Sequence, residues 1–308
     1  MIELHRCSHD HVVTFEIHGL ANHATNEIGH QMQLANLNGR AVLILDGKAL
    51  DIASESAGKF GPEIQAVYQD WEAFRTWAPT APSANAVAFD QADLGPVSPS
   101  ATQVFAIGLN YRAHAAEGGA EVPKAPATFT KFQSCLTGPF APVRWVEGVH
   151  DWEAELVVVI GKRAHKIAPA DAWSYIAGVT CGQDYSERIT QRASGGHFSM
   201  GKSFPGFGPT GPWLVSPDEL ANPDDLAISC EVSGQMMQSS RTSNMVFSVP
   251  VLIEYLSAIT PLFPGDIIFT GTPEGVGFAR KPPRILAPGD VVVTTIEGIG
   301  TMRQDIVA

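Results

Sequence analysis

The stretch Asp151-Trp152-Glu153-Ala154-Glu155-Leu156-Val157-Val158-Val159-Ile160-Gly161 constrains this chain more than any other, because it sets two carboxylates at the mouth of an apolar, β-branched run. Side chains at i and i+2 of a strand point to the same face, so Glu153 and Glu155 would stand side by side. Two adjacent carboxylates entering a buried strand repel each other and resist desolvation unless a cation lies between them. An all-oxygen ligand set selects a hard divalent ion such as Mg²⁺, Mn²⁺ or Ca²⁺ over zinc. The alternative is an acidic strand end facing water, the usual place for unpaired acids.

The chain has 308 residues, enough for one large domain or two smaller ones with ample core. Its 29 Gly and 22 Pro imply many tight turns and a β-rich, loop-rich body. A net charge of -12 argues against nucleic-acid or anionic-membrane partners, which call for a basic patch. It leaves a small anionic substrate open, since a bound cation inverts the local field. Cys7, Cys135, Cys181 and Cys230 are scattered and read as reduced thiols, not as a disulfide frame or zinc site. Met1-Ile2-Glu3-Leu4-His5-Arg6 lacks the apolar stretch of a signal peptide, and no segment approaches the roughly 18 apolar residues that span a membrane. A soluble cytoplasmic protein is expected.

Residues 1–100 read as a small N-terminal α/β module with a linker, and 101–308 as a second, larger body. Strand-like runs lie at 12–17 and 40–45, the second leading into the turn signal Asp46-Gly47. Residues 64–77 have helix-like spacing and stop at Pro79, and the Ala-, Pro- and Ser-rich 80–99 segment reads as linker. In the second body, strands are expected at 104–108, 226–232, 266–269 and 291–296, a helical turn at 114–117, a loop at 124–142 and a helix at 170–176. Pro264-Gly265-Asp266 and Pro288-Gly289-Asp290 are matching turns that each feed an apolar strand, which suggests a β-roll.

Several residues could complete a site around the acidic pair. Asp184, in Cys181-Gly182-Gln183-Asp184-Tyr185-Ser186, is either a third carboxylate for the same cation or the N-cap of a helix starting at Tyr185. His114 and Glu117 are neighbours on one face of a helical turn. A carboxylate beside a histidine orients it and raises its basicity, which suits a general base; the alternative is an exposed surface pair. Lys202 is either a cation for a carboxylate or enolate, or a solvated loop lysine. The Gly-rich Thr270-Gly271-Thr272-Pro273-Glu274-Gly275-Val276-Gly277 fits neither the dinucleotide nor the Walker pattern. It can still present backbone N–H groups and the Thr272 hydroxyl to an anion.

Together these pieces resemble the fumarylacetoacetate hydrolase superfamily, in that family's order: Asn110-Tyr111-Arg112-Ala113-His114 with Glu117, Lys131-Phe132, Asp151-Trp152-Glu153-Ala154-Glu155, Gln183-Asp184-Tyr185-Ser186-Glu187-Arg188, Lys202-Ser203-Phe204, Gly211-Pro212-Trp213, Pro264-Gly265-Asp266, the Thr270 to Gly277 loop, and Glu297-Gly298-Ile299-Gly300. The likeness runs from about residue 105 to the C-terminus. It implies an α+β, β-rich fold: a mixed β-roll catalytic domain, usually dimeric, behind the small N-terminal module. By resemblance, Glu153, Glu155 and Asp184 hold Mg²⁺ or Mn²⁺, and His114, Glu117 and Lys202 are catalytic. Arg112, Gln191 and Thr272 contact substrate by the same resemblance. The chain departs from the family in having Gln183 where many members have Asn, and Ser233-Gly234-Gln235 where many have Asn-Gly-Gln.

The activity this implies is metal-dependent hydrolysis of a C–C bond in a 2,4-dioxo acid of the acylpyruvate or fumarylpyruvate type, giving pyruvate and a carboxylic acid in aromatic or keto-acid catabolism. The same site would also serve an oxaloacetate decarboxylase or a 2-hydroxyhepta-2,4-diene-1,7-dioate isomerase. A reading from another class is a non-catalytic metal-binding scaffold. Retention of His114, Glu117 and Lys202 weighs against that scaffold.

Overall fold

The computed structural model describes residues 32–193 and 195–308. The expected 12–17 strand and Cys7 lie outside them. Among the described residues two large sheets form the body, beside a two-stranded ribbon of His150–Asp151 and Ser186–Glu187. The larger has ten strands, nine of them in the order Lys48–Asp51, Arg40–Leu45, Gln33–Leu37, Gly208–Val215, Ile176–Gln183, Ala154–Ile160, Ile267–Phe269, Val104–Gly108 and Ala127–Thr130. The tenth, Leu136–Thr137, pairs in parallel with Gly208–Val215. Most pairings are antiparallel, but Ile267–Phe269 runs parallel to Val104–Gly108, so the sheet is mixed. The smaller sheet orders Gln235–Arg241, Ala227–Val232, Val291–Ile296, Gly300–Val307 and Val143–Arg144. Among the described residues helices are few, the longest being Val249–Ile259. This is the β-rich mixed fold expected. Among the described residues, no helix is long and apolar enough to cross a membrane.

The unbroken apolar run that follows Glu155 has a packing cause. Every residue of Ala154–Ile160 is buried, because the strand lies inside the sheet with both faces covered. Leu156, Val158 and Ile160 join a core with Ile228, Cys230 and Val292 of the smaller sheet and Leu252 of the long helix. Val157 and Val159 point the other way, into a core with Leu34, Leu43, Tyr68, Trp71 and Phe74 of the N-terminal part. Burying each such side chain stabilises by about 1.5–3 kcal/mol, so this strand is anchored from both sides.

Local chemistry sets the turns. Asp46 and Gly47 have φ of 50° and 73°, the two left-handed positions of a tight hairpin between Arg40–Leu45 and Lys48–Asp51. The matching Pro-Gly-Asp turns use one device twice: the Asp266 carboxylate accepts from Phe263 N, and the Asp290 carboxylate from Ala287 N, each at 2.8 Å. Ser233 and Gly234, where the chain departs from the family pattern, form another left-handed hairpin turn with φ of 50° and 79°.

Four expectations need correction. The 64–77 helix is two helices, Ile64–Gln69 and Trp71–Trp77, broken at Asp70 where ψ is 50°. The 80–99 segment is not a free linker. Leu94, Val97 and Ser98 are buried, and the segment's backbone bonds the outer strands through Gly95 N to Asn36 O at 2.8 Å and Asn38 N to Asp93 O at 3.0 Å. Its composition is loop-like because those partners come from distant strands. The 124–142 loop contains the edge strand Ala127–Thr130, which is too short for a periodic signal. The helix expected at 170–176 is a 3-10 helix, Pro169–Tyr175.

Candidate active site

The strand pairing assembles the carboxylates. Ile176–Gln183 runs antiparallel to Ala154–Ile160, with Gly182 opposite Glu155 and Gln183 opposite Ala154. Asp184, the next residue, donates its backbone N–H to Glu153 O at 2.9 Å, so both strand ends finish at one point. Gln183 braces it: its Oε1 accepts from Glu153 N and its Nε2 donates to Thr294 Oγ1, both at 2.8 Å. Glu153, Glu155 and Asp184 are 5%, 1% and 1% exposed, and offer ligand oxygens all within 4.8 Å of one another. Asp184 does not cap a helix; its side chain belongs to this cluster.

Three buried cations surround it. Lys202 Nζ donates to Glu153 Oε2 at 2.5 Å and Asp184 Oδ2 at 2.7 Å. Lys131 Nζ donates to Asp184 Oδ1 at 2.6 Å, to Phe207 O at 3.2 Å and to Lys202 O. Arg188 Nη2 reaches Glu153 Oε1 at 2.7 Å, while its Nε and Nη2 hold Asp151 Oδ2 at 2.9 and 2.6 Å. Asp151 is fully buried and also accepts from Trp152 N, Gly277 N and Phe278 N, tying the Gly-rich loop to the same strand entrance.

The charges set the protonation. Burial alone would raise Glu153, but Lys202, Arg188 and His114 outweigh it and hold its pKa below the ordinary value. Burial likewise pulls Lys202 down, and Asp184 and Glu153 more than offset this, keeping it a cation. Glu155 is the exception. Burial and then the charges of Asp184 and Glu153 push its pKa well up. Among the described residues its one donor is Gly271 N at 2.8 Å, from a glycine at φ 103°, and no Lys, Arg or His pairs with it. A divalent cation beside Glu155 would relieve this, and three clustered carboxylates are the hard-oxygen set such an ion takes, so the residues present fit a bound metal.

A cleft of about 280 Å³ opens above this cluster. Glu153, Arg188, Gln191, Lys202, His114 and Thr272 all line it. His114 Nδ1 lies 2.8 Å from Glu117 Oε1, and Glu117 Oε2 accepts from Gly275 N at 2.8 Å. Glu117 thus stands behind the imidazole and leaves Nε2 for the cleft. Both residues lie on the helix Arg112–Glu117, and neither is fully exposed. Gln191 Oε1 accepts from Arg188 Nη1 at 3.1 Å. The Thr272 hydroxyl donates to Ala154 O at 2.9 Å and accepts from Gln238 Nε2 at 2.8 Å, so it braces the loop as well as lining the cleft.

Arg112 is not brought in. It is exposed and lines a separate depression with Asn244 and Glu274, because its helix turns His114 inward and so turns Arg112 out. Asp151, Arg188, Lys131 and Gln238 were missed as site residues. The first three lie within or beside the recognised motifs, but only their ion pairs reveal their work.

Residues 103–307 match the family model described as fumarylacetoacetate (FAA) hydrolase C-terminal. The chain belongs to the fumarylacetoacetate hydrolase family. It is 43% identical over 207 residues to the mitochondrial oxaloacetate tautomerase Fahd2a of Rattus norvegicus, a match covering 67% of this chain and 66% of that relative. It is also 43% identical over 209 residues to the 2,4-didehydro-3-deoxy-L-rhamnonate hydrolase of Sphingomonas sp. (strain SKA58), over 66% of this chain and 73% of that one. A crystal structure from Mycobacterium smegmatis superposes with a TM-score of 0.87 at 47% identity, over 90% of this chain and 99% of that one. The buried carboxylate triad of this family member is consistent with the family's use of a divalent metal.

Proposed function

We propose that the cleft moves a proton at the carbon beside the keto group of a 2-oxo acid, interconverting the keto and enol forms of an oxaloacetate-like compound. The His114–Glu117 pair, sharing one cleft with the Glu153–Lys202 cluster, is the observation that carries this reading. Glu117 accepts a hydrogen bond from Nδ1–H of His114, the tautomer that leaves Nε2 with a lone pair in the cleft. Nε2 takes the C–H proton, and the negative charge passes to the keto oxygen. Returning the proton to that oxygen gives the enol, and the reverse sequence gives the ketone. Lys202 stays charged and places positive potential at the cleft floor. A divalent cation, Mg²⁺ or Mn²⁺, held by Glu153, Glu155 and Asp184 would supply Lewis-acid stabilisation of that developing charge. The tautomerase name of the rat relative supports this reading.

C–C hydrolysis of a 2,4-dioxo acid is the second reading. The cleft favours it: about 280 Å³, lined in part by Ile107, Phe129, Phe198 and Val276, has apolar walls that a four-carbon acid has no tail to meet. The hydrolase name of the Sphingomonas relative points the same way. Here His114 would take its proton from water, the hydroxide would add to the distal carbonyl, and the C–C bond would break to a carboxylic acid and the enolate of pyruvate. The test is metal-supplemented enzyme with enol oxaloacetate, fumarylpyruvate or an acylpyruvate, following enol absorbance and pyruvate together. Accelerated enol loss without pyruvate is expected. Pyruvate with a second acid would replace the proposal with hydrolysis, pyruvate with CO₂ with decarboxylation, and no turnover of any substrate would refute both readings.

A further inference from the structure

The helix Arg188–Ala193 carries Arg188, Gln191 and Arg192 at positions i, i+3 and i+4, and all three line the cleft. Three permanent cations therefore border this space: Arg188, Lys202 and Arg192. Two are committed. Arg188 is paired with Asp151 and Glu153, and Lys202 with Glu153 and Asp184. Arg192 has no carboxylate partner among the described residues, in a chain with 32 acidic against 20 basic residues. It is not loose, for its guanidinium carbon sits 4.1 Å from the centroid of Phe278, another wall of the cleft.

The two ends of the cleft share one support. Asp151 holds Arg188 through Nε and Nη2 and holds the Gly-rich loop through Gly277 N and Phe278 N. It thereby sets where Arg188 stands at the inner end and where Phe278, with Arg192 stacked on it, stands at the outer end. Four helical residues separate the arginines by about 6 Å along the axis. Apolar side chains line the same cleft, Ile107, Phe129, Phe198 and Val276 among them. An apolar channel with a committed charge cluster at its floor and an unpaired guanidinium at its rim fits a molecule with an anion at each end.

The geometry points to Arg192 as a specificity-determining residue that binds a second carboxylate at the far end of the substrate, so that the cleft prefers 2-oxo dicarboxylates to 2-oxo acids with an uncharged tail. This rests on the reading that a 2-oxo acid occupies the inner end. Stacking on Phe278 holds the guanidinium ready, which lowers the ordering cost of a planar, two-point contact with a carboxylate.

Oxaloacetate and its 4-methyl ester differ at the distal end by the charge and one methyl group, as do fumarylpyruvate and its distal methyl ester. The measurement is the ratio of kcat/KM for diacid to ester, in the metal-supplemented enzyme and in R192Q and R192K. A charge-assisted contact predicts a ratio about 10- to 100-fold lower in R192Q, mostly through KM for the diacid, with partial recovery in R192K. The same ratio in R192Q as in the unsubstituted protein would overturn the proposal. Should the protein turn over none of these compounds, the catalytic reading fails, and binding of 2-oxoadipate against 2-oxohexanoate by calorimetry decides Arg192 separately. A preference for the diacid that disappears in R192Q supports the assignment; equal affinity for the two acids overturns it.

Discussion

Replacing Glu155 by glutamine should stabilise the metal-free protein and abolish its response to metal. Glu155 is 1% exposed, meets two other carboxylates with ligand oxygens within 4.8 Å, and has no cationic partner among the described residues. At an effective dielectric of about 20, two like charges at that separation repel by about 3.5 kcal/mol. Lys202 attracts Glu155 and offsets part of this. A net gain of about 2 kcal/mol is therefore expected for Glu155→Gln in chelator at pH 8, read from urea midpoints. The pH dependence follows from the direction of the shift. Burial, Asp184 and Glu153 raise the folded pKa, so the folded state holds this proton more tightly than the unfolded chain. Its contribution is fully present below the ordinary carboxylate range and is lost as pH rises towards the raised pKa, by at most about 1.4 kcal/mol per pH unit. The glutamine variant lacks that loss, so its advantage should widen from pH 5 to pH 8. Adding Mg²⁺ or Mn²⁺ should stabilise the unsubstituted protein and leave the variant where it was. A variant less stable than its parent in chelator, or stabilised equally by metal, would refute the reasoning.

Other substitutions probe the remaining parts. His114→Ala should lower kcat/KM by about 10²–10⁴ while elemental analysis finds the metal content of the parent; full activity would remove His114 from proton transfer. Asp151→Asn leaves Arg188 with Glu153 alone as acidic partner and should cost about 3 kcal/mol in urea unfolding, together with a raised KM; a cost below about 1 kcal/mol would show that Arg188 does not need it. His150 is fully buried, stacks on Phe207 at 4.6 Å, and has neither ring nitrogen hydrogen-bonded. Burial, opposed by Glu187, brings its pKa down from 6.5 to about 4. Its neutral form therefore contributes about 3 kcal/mol above pH 6.5, lost as pH falls through about 4, and His150→Phe should flatten that part of the acid-stability curve. Parallel curves for parent and variant would count against it.

The acidic pair was legible because strand alternation is local: any strand through Glu153 and Glu155 brings them to one face, and the apolar run behind them reports a buried strand. The hairpin at Asp46-Gly47 and the His114–Glu117 neighbourhood were legible for the same reason, since turns and helical spacing are fixed within a few residues. Other features depend on distant partners. The 80–99 segment reads as linker until Asn36 and Asn38 supply its hydrogen bonds. Arg112, two residues from His114, falls outside the cleft because the facing of a single helical turn is decided by what packs against it. Residue types and their spacing put the chemistry on offer: three carboxylates, a histidine with its carboxylate, and lysines in reach. Tertiary structure decided which charges neutralise which. It commits Lys202 and Arg188 to Glu153 and, among the described residues, gives Glu155 no paired cation and Arg192 no carboxylate at the rim. Pair energies depend on separations and burial that only the folded chain sets.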